Sequence, residues 1–246
     1  MIEEDHCVYV KRSKDNFARL SLYVDDILLA ANSKEFIKTV KDWLYSNFDM
    51  KDMGEAAYIL GVKIFKDRSR KLLALSQEPY IKKIPERFNM VDYKPMDTLI
   101  AKGQSLSLDM CPKTPQEKEK MARVLYVNAI GSLIYAMMCT MHDISYVVGL
   151  VSRYQSNPGQ KHGSAIKRIL TYLKGTADYS LCYEGGGLRI VGYSDADLGG
   201  DLNECKSTSG YAFLLNRGAI TWSSKKQTCT TLSTMEVEYI ACFAAV

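Results

Sequence analysis

The sequence lacks any run of about 18 apolar residues, so no segment is long enough to span a membrane as one helix, and no membrane partner is predicted. Its first ten residues are acidic, whereas a secretory signal begins basic and then turns apolar. The seven cysteines lie far apart and include no Cys-x-x-Cys pair. Such cysteines are typical of reduced thiols in an intracellular protein, in cytoplasm or nucleus alike, and argue against a disulfide framework or a zinc site.

Size and charge set wide limits on the fold and the partners. A chain of 246 residues with 47% hydrophobic content can bury a core, as one large domain or two small ones. The net charge of +4 is mild and says little about nucleic acid by itself. Between Gly61 and Lys94 nine basic residues outnumber four acidic ones, a bias that a solvated surface explains well.

Two short apolar runs meet at adjacent carboxylates, Asp25 and Asp26. The runs at 17–24 and 27–31 have the length and composition of strands, which predicts a β-hairpin with both carboxylates at its tip. A rigid, exposed carboxylate pair suits Mg²⁺, which takes one or two carboxylates together with waters and substrate phosphates. Two-metal phosphoryl transfer uses such a site. A plain polar turn is the alternative, because aspartate is common in turns.

The tetrapeptide Tyr23-Val24-Asp25-Asp26, inside an apolar hairpin and followed by a helix, resembles the catalytic motif in the palm domain of reverse transcriptases. The similarity to the copia-type branch of LTR retrotransposon Pol polyproteins continues in family order through almost the whole chain. It includes Asn47-Phe-Asp-Met-Lys-Asp-Met-Gly54, Leu60-Gly61-Val62, Arg87-Phe-Asn-Met90, Gly131-Ser-Leu-Ile-Tyr135, Tyr154-Gln-Ser-Asn-Pro158, Tyr193-Ser-Asp-Ala-Asp197, Lys206-Ser-Thr-Ser-Gly210 and Trp222-Ser-Ser-Lys-Lys-Gln227.

The resemblance implies an RNA-directed DNA polymerase that uses Mg²⁺, a primer-template or RNA/DNA hybrid, and a dNTP. It implies that Asp25 and Asp26 are catalytic metal ligands and that Tyr23 and Gly61 contact nucleic acid. In that family the segment around Gly61 lies near the primer terminus, where glycine lets the backbone approach a sugar-phosphate closely. A glycine bulge in a strand is the alternative.

Three glycines at 185–187 precede a change to strand-like patterns, with a strand at 188–194 that ends at Asp195 and a helix that begins near Ser233. This order resembles the opening half of a ribonuclease H domain. The resemblance implies that Asp195 and Glu238 bind Mg²⁺ for two-metal hydrolysis of the RNA strand of a hybrid. The nearby alternatives are Asp197, Asp201 and Glu236, and without the resemblance Glu238 is simply an exposed helix residue.

Helical patterns occupy the middle of the chain, at 34–48, 78–88, 121–140, 144–154 and 164–174. Pro85 lies inside the second of these, which predicts that the helix is kinked or split there or tolerates a damaging residue. Residues 94–120 are polar and contain prolines, which predicts a long connection. Lys167 and Arg168 lie on the polar side of the last helix and either follow a phosphate backbone or form a solvated face.

The predicted fold class is α+β, in three parts: a partial reverse transcriptase palm at 1–95, a helical thumb or connection at 96–184 and a truncated ribonuclease H-like α/β domain at 188–246.

The chain departs from the family in two ways: one change puts a phosphate or carboxylate contact in doubt, and an incomplete set of metal-binding carboxylates predicts little or no activity of the chain by itself. Copia-type polyproteins commonly read Thr-Arg-Pro-Asp where this chain has Thr140-Met141-His142-Asp143, and the arginine's fixed positive fork is lost. A palm also needs an upstream carboxylate, and the next acidic strand of ribonuclease H would follow Val246. The acids before Asp25 match no family motif: Glu3, Glu4, Asp5 and Asp15.

Two alternatives to a piece of an active polyprotein remain open. One is a nucleic-acid-binding remnant without catalysis, and the other is a degraded element copy without a retained function. The sequence gives no prediction of self-association.

Overall fold

The computed structural model describes residues 5–103 and 105–246, so Glu3 and Glu4, and residue 104 of the predicted connection, lie outside the described residues. The chain divides into two compact units, Met1–Ile59 and Leu60–Val246. Ten strands and seven α-helices occur in the described part, and this mixture confirms the predicted α+β class. The three-part domain division stays a prediction.

An antiparallel sheet of three strands forms most of the first unit. Strands β1 (Val8–Ser13), β2 (Asn16–Tyr23) and β3 (Asp26–Ala31) lie in that order. The predicted hairpin is therefore confirmed. A short strand, β4 (Tyr58–Ile59), ends the unit.

Helix α1 (Lys34–Asn47) covers one face of this sheet. Ser33 caps the helix, because its side chain accepts a hydrogen bond from the Phe36 amide at 3.3 Å. Val40 and Leu44 of α1 pack with Ala18 of β2 in a small core. On the solvent side of the helix, Trp43 is exposed.

The second unit begins with strands β5 (Val62–Asp67) and β6 (Leu72–Ser76), paired antiparallel. Strand β7 (Leu181–Glu184) joins the other edge of β6, with Leu73 opposite Tyr183. No sequence pattern predicts β7, because four residues are too few for a clear alternation and the pairing spans more than a hundred positions.

Helix α2 (Glu78–Arg87) is not split at Pro85. Pro85 lies in the last turn, where the missing N–H removes one intrahelical bond close to the helix end. The residue is buried, and its carbonyl accepts a hydrogen bond from the Met90 amide at 2.7 Å. The proline therefore helps to end the helix and to pack it.

Helices α3 (Pro115–Ala122), α4 (Tyr126–Cys139), α5 (Ser145–Ser152) and α6 (Gln160–Gly175) follow. The predicted helix at 121–140 is wrong at its start, and α3 lies in what the sequence predicts to be connection. Thr114 and Glu117 form a capping box at the start of α3, with Pro115 in the first turn. That pattern is visible in the sequence. The main core gathers apolar side chains of α2, α4, α5 and α6, among them Ile81, Leu133, Val148, Val151, Ile169 and Leu173.

A third antiparallel sheet has the order β10-β9-β8, from β8 (Ile190–Ala196), β9 (Thr208–Leu215) and β10 (Gly218–Lys226). Asn216 and Arg217, with φ of 47° and 71°, form the hairpin turn between β9 and β10. Helix α7 (Thr234–Ala245), capped by Ser233, packs on β8 and β9. From β10, the Trp222 indole donates a hydrogen bond to the Met137 carbonyl of α4 at 3.1 Å, which ties the sheet to the helical core.

Of the described helices, none is by itself long and apolar enough to cross a membrane. Helices α3 and α4 meet the length and composition test only when joined across a bend of 49°.

Candidate active-site carboxylates

The tip of the first hairpin is a two-residue turn, Val24-Asp25, closed by the pair Tyr23 and Asp26. Val24 has φ of 50° and is 79% exposed. A β-branched residue at positive φ is a backbone outlier, and such strain concentrates at functional sites. Asp25 and Asp26 are both exposed, and within residues 5–103 and 105–246 neither side chain has a hydrogen-bond or ion-pair partner.

Two free carboxylates on a short, strand-flanked turn fit a hard cation as part of a ligand shell. Mg²⁺ keeps several waters and takes one or two carboxylates plus substrate phosphates, so a pair of this kind supplies the protein's share. In the described part of the chain, no group of three or more His, Cys, Asp or Glu side chains is placed to hold a metal ion.

The two carboxylates matched to ribonuclease H lie on elements that pack against each other. Asp195 is in β8, opposite Gly210, and Glu238 is on α7. The Ser194 hydroxyl lies 3.2 Å from the Cys242 sulfur, one turn beyond Glu238, and joins strand to helix. Asp195 and Glu238 are exposed, and no described residue bonds to either carboxylate. Strand β8 continues to Ala196, so Asp195 lies within the strand rather than after it.

The three alternative carboxylates all have structural partners. Asp197 accepts a hydrogen bond from the Thr208 amide. Glu236 accepts one from the Leu232 amide at 3.0 Å, next to the cap of α7. Asp201 is buried and ion-paired. These contacts favour Asp195 and Glu238 as the carboxylates that are free to bind a metal, and their metal role stays a prediction.

Asp201 is the centre of a charge cluster that joins helix α5 to the loop between β8 and β9. Its side chain is 1% exposed, and its two oxygens lie 3.1 Å from Arg153 Nη1 and 3.4 Å from Lys226 Nζ. Arg153 follows the end of α5. Its ion pair with Asp201 could not be predicted from a local sequence pattern, because the two residues are 48 positions apart. Burial of a carboxylate is tolerated here because two cations and the Glu204 amide, at 3.1 Å, satisfy its oxygens.

Glu204 extends this cluster to the surface. Its carboxylate lies 2.6 Å from Lys206 Nζ and 2.8 Å from Lys226 Nζ. Hydrogen bonds from these two lysines lower the pKa of Glu204 to about 2. The bond to Glu204 also raises the pKa of Lys226 above its ordinary value.

Gly61 lies in a turn with Leu60, and both residues have positive φ, 78° and 48°. The Tyr135 hydroxyl of α4 donates a hydrogen bond to the Leu60 carbonyl. A Cβ on Gly61 would lie 3.1 Å from that hydroxyl oxygen, so both the backbone angle and the close approach favour glycine. Gly61 therefore lies in a turn and not in a strand bulge, which is the alternative interpretation of the sequence, and its contact with nucleic acid stays a prediction.

Lys167 and Arg168 contact the segment that follows α2. Arg168 Nε donates a hydrogen bond to the Thr98 carbonyl at 3.0 Å, and the Lys167 ammonium lies 5.9 Å from the centroid of the Tyr93 ring. Both basic groups thus help to hold the connection on α6. A role in phosphate binding stays a prediction, and Lys167 is the more exposed of the two.

Met141, where copia-type polyproteins commonly have arginine, is 3% exposed and belongs to the main core. An arginine at this depth would need a partner for its charge, whereas methionine packs without one. The departure from the family therefore suits the local packing.

His162 is buried in a polar network at the start of α6. Its Nδ1 accepts a hydrogen bond from the Gly159 amide at 2.9 Å, and its Nε2 donates one to the Ser107 carbonyl at 3.2 Å. The ring stacks on Tyr154 at 4.0 Å. Burial lowers the pKa of His162. Both nitrogens are occupied, so this histidine serves the packing of α6 rather than proton transfer.

Comparison with known proteins identifies the family. Residues 1–102 match the family described as reverse transcriptase (RNA-dependent DNA polymerase). Over 238 residues, 96% of the chain, the sequence is 50% identical to the retrovirus-related Pol polyprotein from transposon TNT 1-94 of Nicotiana tabacum. Over 240 residues it is 31% identical to a putative transposon Ty5-1 protein of Saccharomyces cerevisiae, 76% of which it covers. The chain belongs to the retrotransposon Pol polyprotein family.

The match to Pol polyproteins is partial in length, since the chain spans 18% of the tobacco polyprotein. An uncharacterized mitochondrial protein of Arabidopsis thaliana is 33% identical over 223 residues, which are 90% of the chain and 89% of that protein. No solved structure matched the chain.

Proposed function

We propose that the chain carries part of a Mg²⁺-dependent RNA-directed DNA polymerase with ribonuclease H activity, and that it has little or no activity by itself. One observation carries the proposal: the carboxylates matched to the family are exposed and have no partner among the described residues, whereas the neighbouring acids make structural contacts. The four are Asp25, Asp26, Asp195 and Glu238.

Asp25 and Asp26 would hold Mg²⁺ in the polymerase site, and Asp195 and Glu238 would hold it in the nuclease site. When bound, the metal would offset negative charge on the reacting phosphate. The fold positions the carboxylates. The pairing of β2 with β3 fixes Asp25 and Asp26 at the tip, and the packing of α7 on β8 fixes Asp195 and Glu238. Absence of a third metal-binding side chain near either pair, among the described residues, supports inactivity of the chain alone.

A hybrid polyprotein tests the activities. The chain replaces the 238 matched residues of the tobacco polyprotein, and the product is assayed with Mg²⁺ for primer extension and for cleavage of labelled RNA in a hybrid. We expect Asp25→Asn to abolish extension and leave cleavage, and Asp195→Asn to abolish cleavage and leave extension. Equal activity of the variants and the parent hybrid would refute these assignments.

The chain alone is assayed in the same way for the second half of the proposal. We expect no extension above background at any Mg²⁺ concentration. Extension by the purified chain that Asp25→Asn removes would contradict the inactivity.

A second candidate function is nucleic acid binding without catalysis. It is favoured by Lys167, an exposed cation on α6. The Arabidopsis relative, which the chain covers over 89% of its length, is a protein of about this span that occurs separately from a long polyprotein. A salt-sensitive gel shift of a primer-template hybrid by the chain tests it, and no shift at low salt would exclude it.

A further inference from the structure

Helix α7 exposes a row of large apolar side chains to solvent. Met235, Tyr239 and Phe243 are 78%, 75% and 78% exposed. They are four residues apart, so they lie on one side of the helix. The opposite side is occupied, since Val237 and Ala241 are buried and the helix packs on β8 and β9. One side of α7 therefore serves the fold, and the other remains in solvent.

Two further apolar residues extend this row beyond the ends of the helix. Leu232 precedes the cap of α7 and is 92% exposed, and Val246 follows the helix and is fully exposed. We call the five residues the α7 stripe. Large apolar side chains carry about 150–250 Å² each, so the α7 stripe exposes roughly 800 Å². Apolar patches on monomers rarely exceed about 300–600 Å², and larger ones are typical of interaction sites.

Acidic residues on both sides of the α7 stripe limit what can cover it. Glu236 and Glu238 flank it on the helix, both are exposed, and residues 234–245 include no Lys or Arg. A helix that lies on an anionic membrane has basic residues beside its apolar side, and a surface for nucleic acid needs cations. Repulsion disfavours both of these occupants, so an apolar protein surface is the better match.

The spacing of the α7 stripe is symmetrical about its middle residue. Met235 and Phe243 are each four residues from Tyr239, and Leu232 and Val246 are each seven residues from it. A dimer with a two-fold axis presents the same patch twice, so residues on one side of the axis meet residues on the other side. With the axis at Tyr239, two antiparallel copies of α7 would pair Met235 with Phe243 and Leu232 with Val246.

This register gives compatible neighbours along the whole contact. Methionine sulfur makes favourable contacts with aromatic rings, and the two Tyr239 rings would meet at the axis, where they can stack. Glu236 would lie opposite Cys242, and Glu238 opposite Ile240, so no acid faces another acid. Burial of two-thirds of the α7 stripe on each copy would remove about 1,100 Å² from water in total, and a specific interface needs roughly 1,000 Å².

We propose that the α7 stripe is a dimer interface, on which a second copy of this chain packs its own α7 in the antiparallel direction about an axis at Tyr239. The exposed area, the flanking acids and the symmetrical spacing select this occupant. The inference goes beyond the proposed function, because it needs neither a metal ion nor nucleic acid.

Sedimentation velocity of the full chain, between about 1 and 100 µM, measures the association. We expect a dimer with a dissociation constant of about 10 µM or lower, since interfaces of this size range from micromolar to tighter affinities. Tyr239→Glu places two carboxylates at the axis and should weaken the dimer at least about hundredfold, because opposed like charges are costly. A thermal melt of each variant checks that it folds.

The antiparallel register is tested by charges on either side of the axis. Met235→Glu and Phe243→Lys should each weaken the dimer at least about tenfold, because each buries a charge without a partner. The double variant Met235→Glu/Phe243→Lys should return to within about threefold of the parent chain, because each glutamate then meets a lysine of the other copy. The two positions are eight residues apart in one helix, which is too far for a pair within one copy.

The matched control is Met138→Glu, the same change at a methionine of α4 that is 67% exposed. It should stay within about twofold of the parent chain, as expected for an exposed position outside the interface. An equal loss in Met138→Glu and Met235→Glu would overturn the inference.

A parent chain that stays monomeric at about 100 µM would also overturn the inference and leave the α7 stripe to a different partner, such as another segment of a longer polyprotein. A dimer that Tyr239→Glu does not weaken would place the interface elsewhere and refute the proposal. Loss in both single variants without recovery in the double variant would refute the antiparallel register. None of these results bears on the primer-extension and cleavage assays, so the proposed function stands or falls separately.

Discussion

The hairpin tip and the loop at 197–207 are both rich in acidic residues, and they use them in opposite ways. At the tip, Asp25 and Asp26 are exposed and unpaired among the described residues, and the backbone at Val24 has positive φ. In the loop, Asp201 is buried between Arg153 and Lys226, and Glu204 is held by two lysines. The residue type is shared, so the cations within reach decide whether a carboxylate stabilises the fold or stays free for a ligand.

The largest effect should come from removing the buried charge of the loop. Asp201→Asn leaves Arg153 and Lys226 without their shared counter-charge, and we expect a loss of about 3 kcal/mol in the free energy of unfolding, because broken buried ion pairs are costly. Urea denaturation followed by circular dichroism measures it. Asp195→Asn, an exposed acid of the adjoining strand, is the control and should change stability by less than about 0.5 kcal/mol. Similar losses in the free energy of unfolding for the two variants would contradict the distinction between paired and free carboxylates.

A smaller loss should follow from His162→Gln, which tests the polar network behind the loop. Asn203 of the loop donates a hydrogen bond to the Tyr154 hydroxyl, and Tyr154 stacks on His162. We expect a loss of about 1–3 kcal/mol near neutral pH, since two buried hydrogen bonds are disturbed.

The same variant has a pH signature. The folded-state pKa of His162 is below its ordinary value of 6.5, so the unfolded chain binds the proton first as pH falls. The stability of the parent chain should therefore be constant above 6.5 and decline below it, and His162→Gln should lack this part of the decline. Parallel pH profiles would show that the histidine does not titrate as described.

The next effect is a change in the pKa of Glu204, at the surface of the loop, when a neighbouring lysine is removed. Glu204 should titrate at about 2 in an NMR experiment, and Lys206→Gln should raise its pKa part of the way toward 4.5, because Lys226 still donates to it. Its lowered pKa adds stability above pH 4.5 that is lost as pH falls toward 2. An unchanged pKa of Glu204 in the variant would show that Lys206 does not interact with its carboxylate.

The backbone strain at Val24 predicts that one substitution at the tip will increase the stability of the fold. Val24→Gly removes a β-branched side chain at φ of 50°, and we expect up to about 1 kcal/mol of added stability, since relief of the positive φ exceeds the entropy cost of glycine. Val10→Gly, in the regular part of β1, is the control and should destabilise. A loss in both would mean that the tip is not strained.

The smallest effect is expected for the tip carboxylates themselves. Asp25→Asn and Asp26→Asn should each change the free energy of unfolding by less than about 0.5 kcal/mol, because neither carboxylate has a partner to lose among the described residues. Thermal and urea denaturation check this. A loss comparable to that of Asp201→Asn would place the tip in the same class as the loop.

Local patterns predicted much of the fold. The hairpin at the tip, α1 and α7 all follow from alternating or helical periodicity and from the capping serines Ser33 and Ser233. Strand β7 was not predicted, because its four residues show no clear local pattern and form a strand only by pairing with β6. Pro85 misled the prediction, since a proline in a last helical turn costs far less than one in the middle.

The candidate sites likewise include residues that the sequence identifies and contacts that only the packed structure reveals. Family motifs identified the exposed carboxylates by position along the chain, but no motif shows that Asp201 is buried or that Arg153 approaches it from the end of helix α5. Those contacts depend on the packing of α5 against the loop between β8 and β9, which joins residues 48 positions apart. Sequence reasoning therefore ranked Asp201 as an alternative ligand until its partners were placed.

The chain has two tryptophans, and they fall in different units: exposed Trp43 in the first, and half-buried Trp222, bonded to the helical core, in the second. Intrinsic fluorescence therefore supplies one reporter for each unit without any label. Replacing either tryptophan with phenylalanine leaves a single fluorophore, so the unfolding of each unit can be followed separately and compared.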